Sequence, residues 1–293
     1  MRFIAFTNDL GHPALGVRIG QELVDITALG LPATLDELLR QVGPGMAAVH
    51  AAMAGPVTRR PLAGRRYLPP VSNPAKALAI GLNYADHAKV SNFAMPKFPV
   101  IFHRYPSSWV AHGEALVRPH ISEQFDYEAE LVAVIGKGGR YIPKDKALEH
   151  VAGYSLFNDG SIRDHQTRST QFMMGKNFDA SGSFGPEFVT ADELPPGGVG
   201  LQIQCRLNGT VMQNASTSDM IFDVATLVAA CSEAMALQPG DIIITGTPSG
   251  VGLARKPPVW MKAGDVCEVE VQGVGVLRNT IVDESCTSER YRT

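Results

Sequence analysis

The chain has no long apolar run. Its opening residues, Met1 to Asp9, hold only a short hydrophobic stretch before turning polar, too little for the core of a secretory leader. No later segment has the length of uninterrupted apolar residues that a membrane-spanning helix needs, so no membrane association is expected. Charge of one sign is also missing: 26 Lys and Arg stand against 29 Asp and Glu, and no basic run is interleaved with aromatics, which argues against nucleic acid as a partner. Cysteine is scarce, and Cys205, Cys231, Cys267 and Cys286 form no C-x-x-C pair, which removes the usual zinc and dithiol signatures and any need for a disulfide framework. The expected location is therefore cytoplasmic. Two sequons, at Asn208 and Asn214, are read as chance on the same ground. Repeats and low-complexity tracts are absent, and the Gly-rich stretch from Gly246 to Gly252 lacks both the Gly-Lys-Ser/Thr of a phosphate loop and the spacing of a dinucleotide fingerprint.

What the chain does have is Phe125 to Gly136, an apolar run read as one strand, with two carboxylates near its start. Side chains on a strand alternate faces, so Glu128 and Glu130 point the same way and Val132 and Val134 continue their face. Two carboxylates about 5 Å apart repel by roughly 3 kcal/mol at an effective dielectric near 20. Lys or Arg partners, a shared proton or a divalent cation would offset this. A third acid follows: Val151 to Phe157 reads as another strand, and Asn158-Asp159-Gly160 turns the chain at its end, presenting Asp159. An all-oxygen set of three carboxylates suits Mg²⁺ or Mn²⁺ better than Zn²⁺. Solvated acids on an edge strand are the competing reading, and spacing leaves both open.

Residues 1–66 read as a small N-terminal α/β unit, with strands over Phe3 to Phe6, Leu15 to Ile19 and Leu23 to Ile26. Helices follow over Leu35 to Val42, capped by Thr34, and over Met46 to Met53. The Pro-dense stretch from Gly64 to Pro74 marks a boundary, and residues 67–293 form the larger unit, with a core of about 75–283. A strand over Ala75 to Ile80 opens it. Gln202 to Leu207 alternates into the Asn208-Gly209 turn of a hairpin. Apolar residues from Ile221 to Met235 recur at helical spacing, with Ser218 or Asp219 as the cap and Gln238-Pro239-Gly240 as the stop.

Five segments in register carry a resemblance: Gly81 to His87, Asp126 to Leu131, Asn158 to Asp164, Gly175 to Asp179 and Thr245 to Gly252. Together they resemble the fumarylacetoacetate hydrolase family over about residues 75–283. The resemblance implies an α+β, strand-rich fold of rolled mixed sheets with flanking helices, a homodimer, and Mg²⁺ or Mn²⁺ held by residues matching Glu128, Glu130 and Asp159. It also implies catalysis on 2-oxo acids and β-dicarbonyl compounds. His87 matches the family's base, and Lys176 matches a lysine placed to stabilise oxyanion charge. Gln171 and Thr247 match positions near the substrate.

Two departures from the family pattern bear on activity. The position three residues after His87 is Val90, where many relatives have a Glu that orients the imidazole. Arg104 stands where many have Lys; its planar fork suits a substrate carboxylate or a structural ion pair. The resulting expectation is a C–C hydrolase of an acylpyruvate-like acid. The alternatives are a 2-oxo-acid decarboxylase, a tautomerase or isomerase, and a metal and oxo-acid binding protein without turnover. By proximity to the motifs, Met173, Met174, Phe93 and Trp109 are expected to line the distal pocket.

Overall fold

The computed structural model describes residues 1–41, 46–84 and 96–285. Alternation and β-branched content dictate a strand-rich α+β architecture, and the described residues form a 12-stranded mixed sheet, a five-stranded sheet and a two-stranded ribbon. At the centre of the large sheet, Ala129–Ile135 pairs antiparallel with Val151–Asn158 on one side and with Ile242–Ile244 on the other. Ile242–Ile244 then pairs parallel with Ala77–Gly81, and Val100–His103 forms the edge beyond it.

The alternation of the central strand divides two cores. Leu131, Ala133 and Ile135 face a core shared with Ile203, Val269 and Leu277 of the five-stranded sheet and with Leu227 and Val228 of the helix Val224–Ala234. Val132 and Val134 face the opposite core, with Phe157, Phe184 and Leu38. Both faces being covered explains why the strand reads as a continuous apolar run.

Strands from the first 66 residues join the same sheet, since Arg2 and Phe3 pair with Val189 and Phe188 of Gly182–Thr190. The division at residues 66 and 67 stays our proposal, and the sheet runs through it unbroken. Thr34 Oγ1 accepts from Glu37 N at 3.3 Å at the start of Leu35–Gln41, and the hairpin turn at Asn208-Gly209 has positive φ at both residues, as a type I′ turn requires.

Two element readings change. The strand expected over Phe125 to Gly136 is two pieces, Phe125–Asp126 and Ala129–Ile135, with Tyr127 and Glu128 between them. The helix expected from Asp219 begins at Val224 and is capped by Asp223, whose carboxylate accepts from Thr226 N. The cause is Asn83: its backbone O accepts from Ile221 N at 2.7 Å and its side-chain Oδ1 from Phe222 N at 2.8 Å, which takes both amides out of helical use. Asn83 Nδ2 also donates to Thr245 O at 2.7 Å, so this buried amide joins helix entry to the end of the Ile242–Ile244 strand. Replacing it by Ala (Asn83→Ala) strands several buried backbone groups and is expected to cost about 3 kcal/mol in urea denaturation; a loss below about 1 kcal/mol would refute this role.

Candidate metal centre

Glu128, Glu130 and Asp159 are all buried, and each offers a carboxylate oxygen within 4.8 Å of the others. Local structure explains the convergence. Glu130 shares the face of Val132 and Val134, as alternation requires, and Glu128 sits in the strand break where its N–H reaches Asn158 Oδ1 at 3.0 Å. Asp159 N donates in turn to Glu128 O at 2.9 Å, tying the end of the neighbouring strand to the break.

Three cations meet these acids. Lys176 Nζ lies 2.6 Å from both Glu128 Oε2 and Asp159 Oδ2. Arg104 Nη1 lies 2.8 Å from Asp159 Oδ1, and Arg163 Nη2 lies 2.7 Å from Glu128 Oε1. Arg163 Nε also holds Asp126 Oδ2 at 2.8 Å. Burial works against the charge on Arg163, but Asp126 and Glu128 outweigh it and raise its pKa. Lys176 reaches the site because Gly175 lets its short helix, Met173–Lys176, press on Gln166: a Cβ there would fall 2.4 Å from Gln166 Cα.

Glu130 is different. Its Oε2 accepts from Gly246 N at 2.5 Å, and its Oε1 has no N–H or cation against it among the described residues. Gly246 has φ of +98°, and a Cβ would lie 2.7 Å from Asn83 Cβ, so only glycine brings this amide to the acid. Burial, then the charges of Asp159 and Glu128, hold the Glu130 carboxyl well above the usual carboxylate range. Four carboxylates, counting Asp126, thus face three cations, and the raised pKa of Glu130 makes it the acid that most readily keeps a proton. The buried all-oxygen donor set, with one uncommitted oxygen, fits a hard divalent cation that replaces this proton.

The acids form one end of a cavity of about 350 Å³. Lys176, Arg163, Gln166, Thr167 and Thr247 continue its polar side, and Ile80, Leu82, Phe102, Phe172, Val251 and Leu253 make an apolar wall. Phe102 and Phe172 meet edge to face, with ring centroids 6.0 Å apart.

Of the residues singled out from the sequence, Glu128, Glu130, Asp159, Lys176 and Thr247 come together here. His87 and Val90 lie outside the described residues, as does Phe93. Arg104 does not reach the cavity. Its fully buried guanidinium is taken up by Asp159, by Gly160 O at 3.0 Å and by Ser108 O at 3.0 Å, leaving no donor for a substrate carboxylate. Gln171 is exposed and off the cavity, while Gln166 lines it. Trp109 is packed in the core against Phe157 and Phe184, and Met173 and Met174 face outward because their helix turns Gly175 and Lys176 inward. Arg163 and Gln166 were missed; an Arg three residues before a Gln at the start of a short helix, right after the Asn-Asp-Gly turn, was the available signal.

Calorimetry with Mn²⁺ tests the centre. Asp159→Asn should abolish binding, and unchanged affinity would refute the assignment. Because burial and the neighbouring acids strengthen the hold of Glu130 on a proton, metal uptake should compete with that proton and apparent affinity should rise with pH. Metal-free stability should run the other way: the folded state holds a proton that the unfolded chain gives up above the ordinary carboxylate range, so stability falls as pH rises towards the raised value.

Comparison with known proteins agrees with this geometry. The sequence model for the fumarylacetoacetate (FAA) hydrolase C-terminal region matches residues 76–282. The chain is 39% identical to the mitochondrial oxaloacetate tautomerase FAHD2A of Bos taurus over 289 residues, 96% of this chain and 92% of that protein. Among solved structures, the fumarylacetoacetate hydrolase of the psychrophile Exiguobacterium antarcticum superimposes with a TM-score of 0.85 at 36% identity, covering 97% of this chain and 100% of the other. Maleylpyruvate hydrolase from Sphingobium sp. SYK-6, solved with manganese(II) and pyruvate, gives 0.81 at 30% identity over the same shares. A neighbour from Mycobacterium smegmatis is a 5-carboxymethyl-2-hydroxymuconate delta-isomerase, so hydrolase, isomerase and tautomerase activities all occur among proteins similar to this one. On sequence and structure alike, the chain belongs to the fumarylacetoacetate hydrolase family.

Proposed function

We propose that this chain is a metal-dependent enzyme that interconverts the keto and enol forms of a small 2-oxo acid, with Glu128, Glu130 and Asp159 holding Mg²⁺ or Mn²⁺. The observation that carries the reading is the buried acid cluster, with Lys176 across it, at one end of a small cavity. When bound, the ion supplies Lewis-acid stabilisation of an enolate.

The remaining chemistry falls to side chains. Tautomerisation takes a proton from C3 and delivers one to the C2 oxygen, breaking no other bond. The Lys176 ammonium, held by two carboxylates and by Asp159 O at 3.4 Å, sets a fixed positive charge beside an oxygen that gains negative charge. Thr247 and Gln166 line the cavity as hydrogen-bonding groups for the carboxylate and keto oxygens. Arg104 acts indirectly, holding Asp159 from behind. His87 is assigned as the base that moves the C3 proton. Position 90, three residues on, is Val rather than a carboxylate that could orient an imidazole to activate water. Proton transfer to and from carbon needs no attacking water, and this favours tautomerisation over hydrolysis. The near full-length similarity to proteins named oxaloacetate tautomerases supports the same choice.

C–C hydrolysis of an acylpyruvate is the second reading. It is favoured by the wall of Phe102, Phe172, Val251 and Leu253, which suits an acyl tail, and by the similarity to maleylpyruvate hydrolase. A homodimer and a cytoplasmic location are likewise retained as proposals, although the mammalian relatives are named mitochondrial.

Enol oxaloacetate supplied with Mn²⁺ should lose its ultraviolet absorbance faster with the protein than without it. Lys176→Met should slow this at least about 100-fold. Pyruvate release from acetylpyruvate, with no effect on oxaloacetate, would instead establish the hydrolase; inertness towards both would reduce the chain to a binding protein. If hydrolysis is present but weak, Val90→Glu should raise it by restoring an orienting carboxylate, and no gain would show that the missing Glu is not the limiting defect.

A further inference from the structure

Gln213 belongs to the strand Thr210–Ser216, on the hairpin remote from the acid-bearing strands, yet its side chain is almost fully buried. Its amide makes three hydrogen bonds. Oε1 accepts from Ala129 N at 2.9 Å, and Nε2 donates to Thr247 Oγ1 at 2.8 Å and to Pro248 O at 2.8 Å. A backbone N–H can only donate and a carbonyl can only accept, so these two partners permit one orientation of the amide. Thr247 Oγ1 is therefore a hydrogen-bond acceptor towards Gln213, and its own proton must point elsewhere. No described residue accepts that proton, and Thr247 lines the cavity.

We infer that Gln213 is a positioning residue: it polarises the Thr247 hydroxyl and aims its proton into the cavity, where it donates to a carboxylate or enolate oxygen of the ligand. This rests on the reading that the cavity receives a 2-oxo acid. The same amide holds Ala129, the residue between Glu128 and Glu130, so one side chain fixes the donor relative to the metal-binding acids. A hydroxyl left to rotate offers a lone pair as readily as a proton. One locked by Gln213 discriminates in favour of oxygens that only accept, which are the atoms a 2-oxo acid and its enolate present.

A double-mutant cycle tests the inference on the full-length protein, with oxalate binding to the Mn²⁺-loaded form read by calorimetry and metal-free Tm read in parallel. In Gln213→Glu the side chain becomes an acceptor, and Thr247 turns its proton towards it and away from the cavity. Gln213→Met keeps the volume and removes the lock. Each, like Thr247→Val, should weaken oxalate binding about tenfold. With Mn²⁺ saturating, so that loss of the Ala129 bond falls on metal affinity, Gln213→Met should weaken oxalate binding no further in the Thr247→Val background, and Gln213→Glu only by the repulsion its added charge brings; in Thr247→Ser, which keeps a hydroxyl, the full tenfold sensitivity should return. Multiplicative losses with Gln213→Met in the Thr247→Val background, or Gln213 variants that bind oxalate like the wild type, would overturn the inference while leaving the functional reading intact. Failure of the wild-type protein to bind oxalate with Mn²⁺ would overturn both. Should Gln213→Glu not fold, the Gln213→Met arm decides alone.

Discussion

The structure depends on a closed circuit of buried charge. Asp126, Glu128 and Asp159 are each matched by Arg163, Lys176 or Arg104 at 2.6 to 2.8 Å, nearly out of reach of water. Such a circuit is poor evidence for stability, because desolvation takes back most of what the pairs supply; yet removing a single member leaves an uncompensated charge that costs about 3–5 kcal/mol. The constraint therefore acts on geometry. Every element that contributes a charge must arrive in register, and the contributions come from the strand Phe125–Asp126, the break after it at Glu128, the turn after Asn158, the end of the Val100–His103 strand and two short helices. The acids are held close before any ion arrives, and the repulsion between them is already offset by Lys176, Arg104 and Arg163.

A second set of contacts fixes the opposite side of the cavity to the same circuit. The Gly-rich segment after Ile244 is held at one end by Glu130, which accepts from Gly246 N, and at the other by Asp126, which accepts from Gly252 N at 2.7 Å and Leu253 N at 2.9 Å. Thr247 lies between these anchors. The loop's glycines serve a close approach of backbone to acidic side chains, with Asp126 linking the loop to Arg163 and thence to Glu128. A change of charge at the acids is thus felt by the residues that line the ligand space, through hydrogen bonds and with no need for a moving part.

How far this was legible in the sequence follows from the range of each interaction. Glu130 could be assigned to the face of Val132 and Val134 because strand alternation is a local property, and Asp159 could be placed because Asn-Asp-Gly announces a turn, but Glu128 reaches the site from a break in the strand that alternation does not describe. The cations were harder. Lys176 was found only through resemblance, and for Arg104 the sequence left a substrate contact and a structural ion pair both open, of which its environment supports the ion pair with Asp159. What decides the matter is the approach of Gly182, whose Cβ would fall 2.4 Å from Arg104 Nη2, and that contact spans 78 residues of chain that local patterns do not describe. Gln213 was invisible for a related reason. The register of its hairpin shifts at Cys205 and Arg206, and this irregularity brings Gln213 opposite Cys205 and turns it inward. The helix before Met235 started late because a tertiary partner, Asn83, claimed the amides that local periodicity would have given to it.

The charge balance also limits what the cavity can hold. The four acids carry one charge more than the three cations offset, and the raised pKa of Glu130 makes that excess the easiest to lose to a proton, so the metal-free site has little to attract an anion. A divalent ion in exchange for that proton leaves one positive charge in excess, in a space where low polarisability makes it count. An anionic ligand would neutralise the surplus, and an uncharged end on it would meet Phe102, Phe172 and Val251. Affinity for an anion is in this way expected to depend on the ion, because the charge that draws the anion is the one the ion adds to acids already held in place.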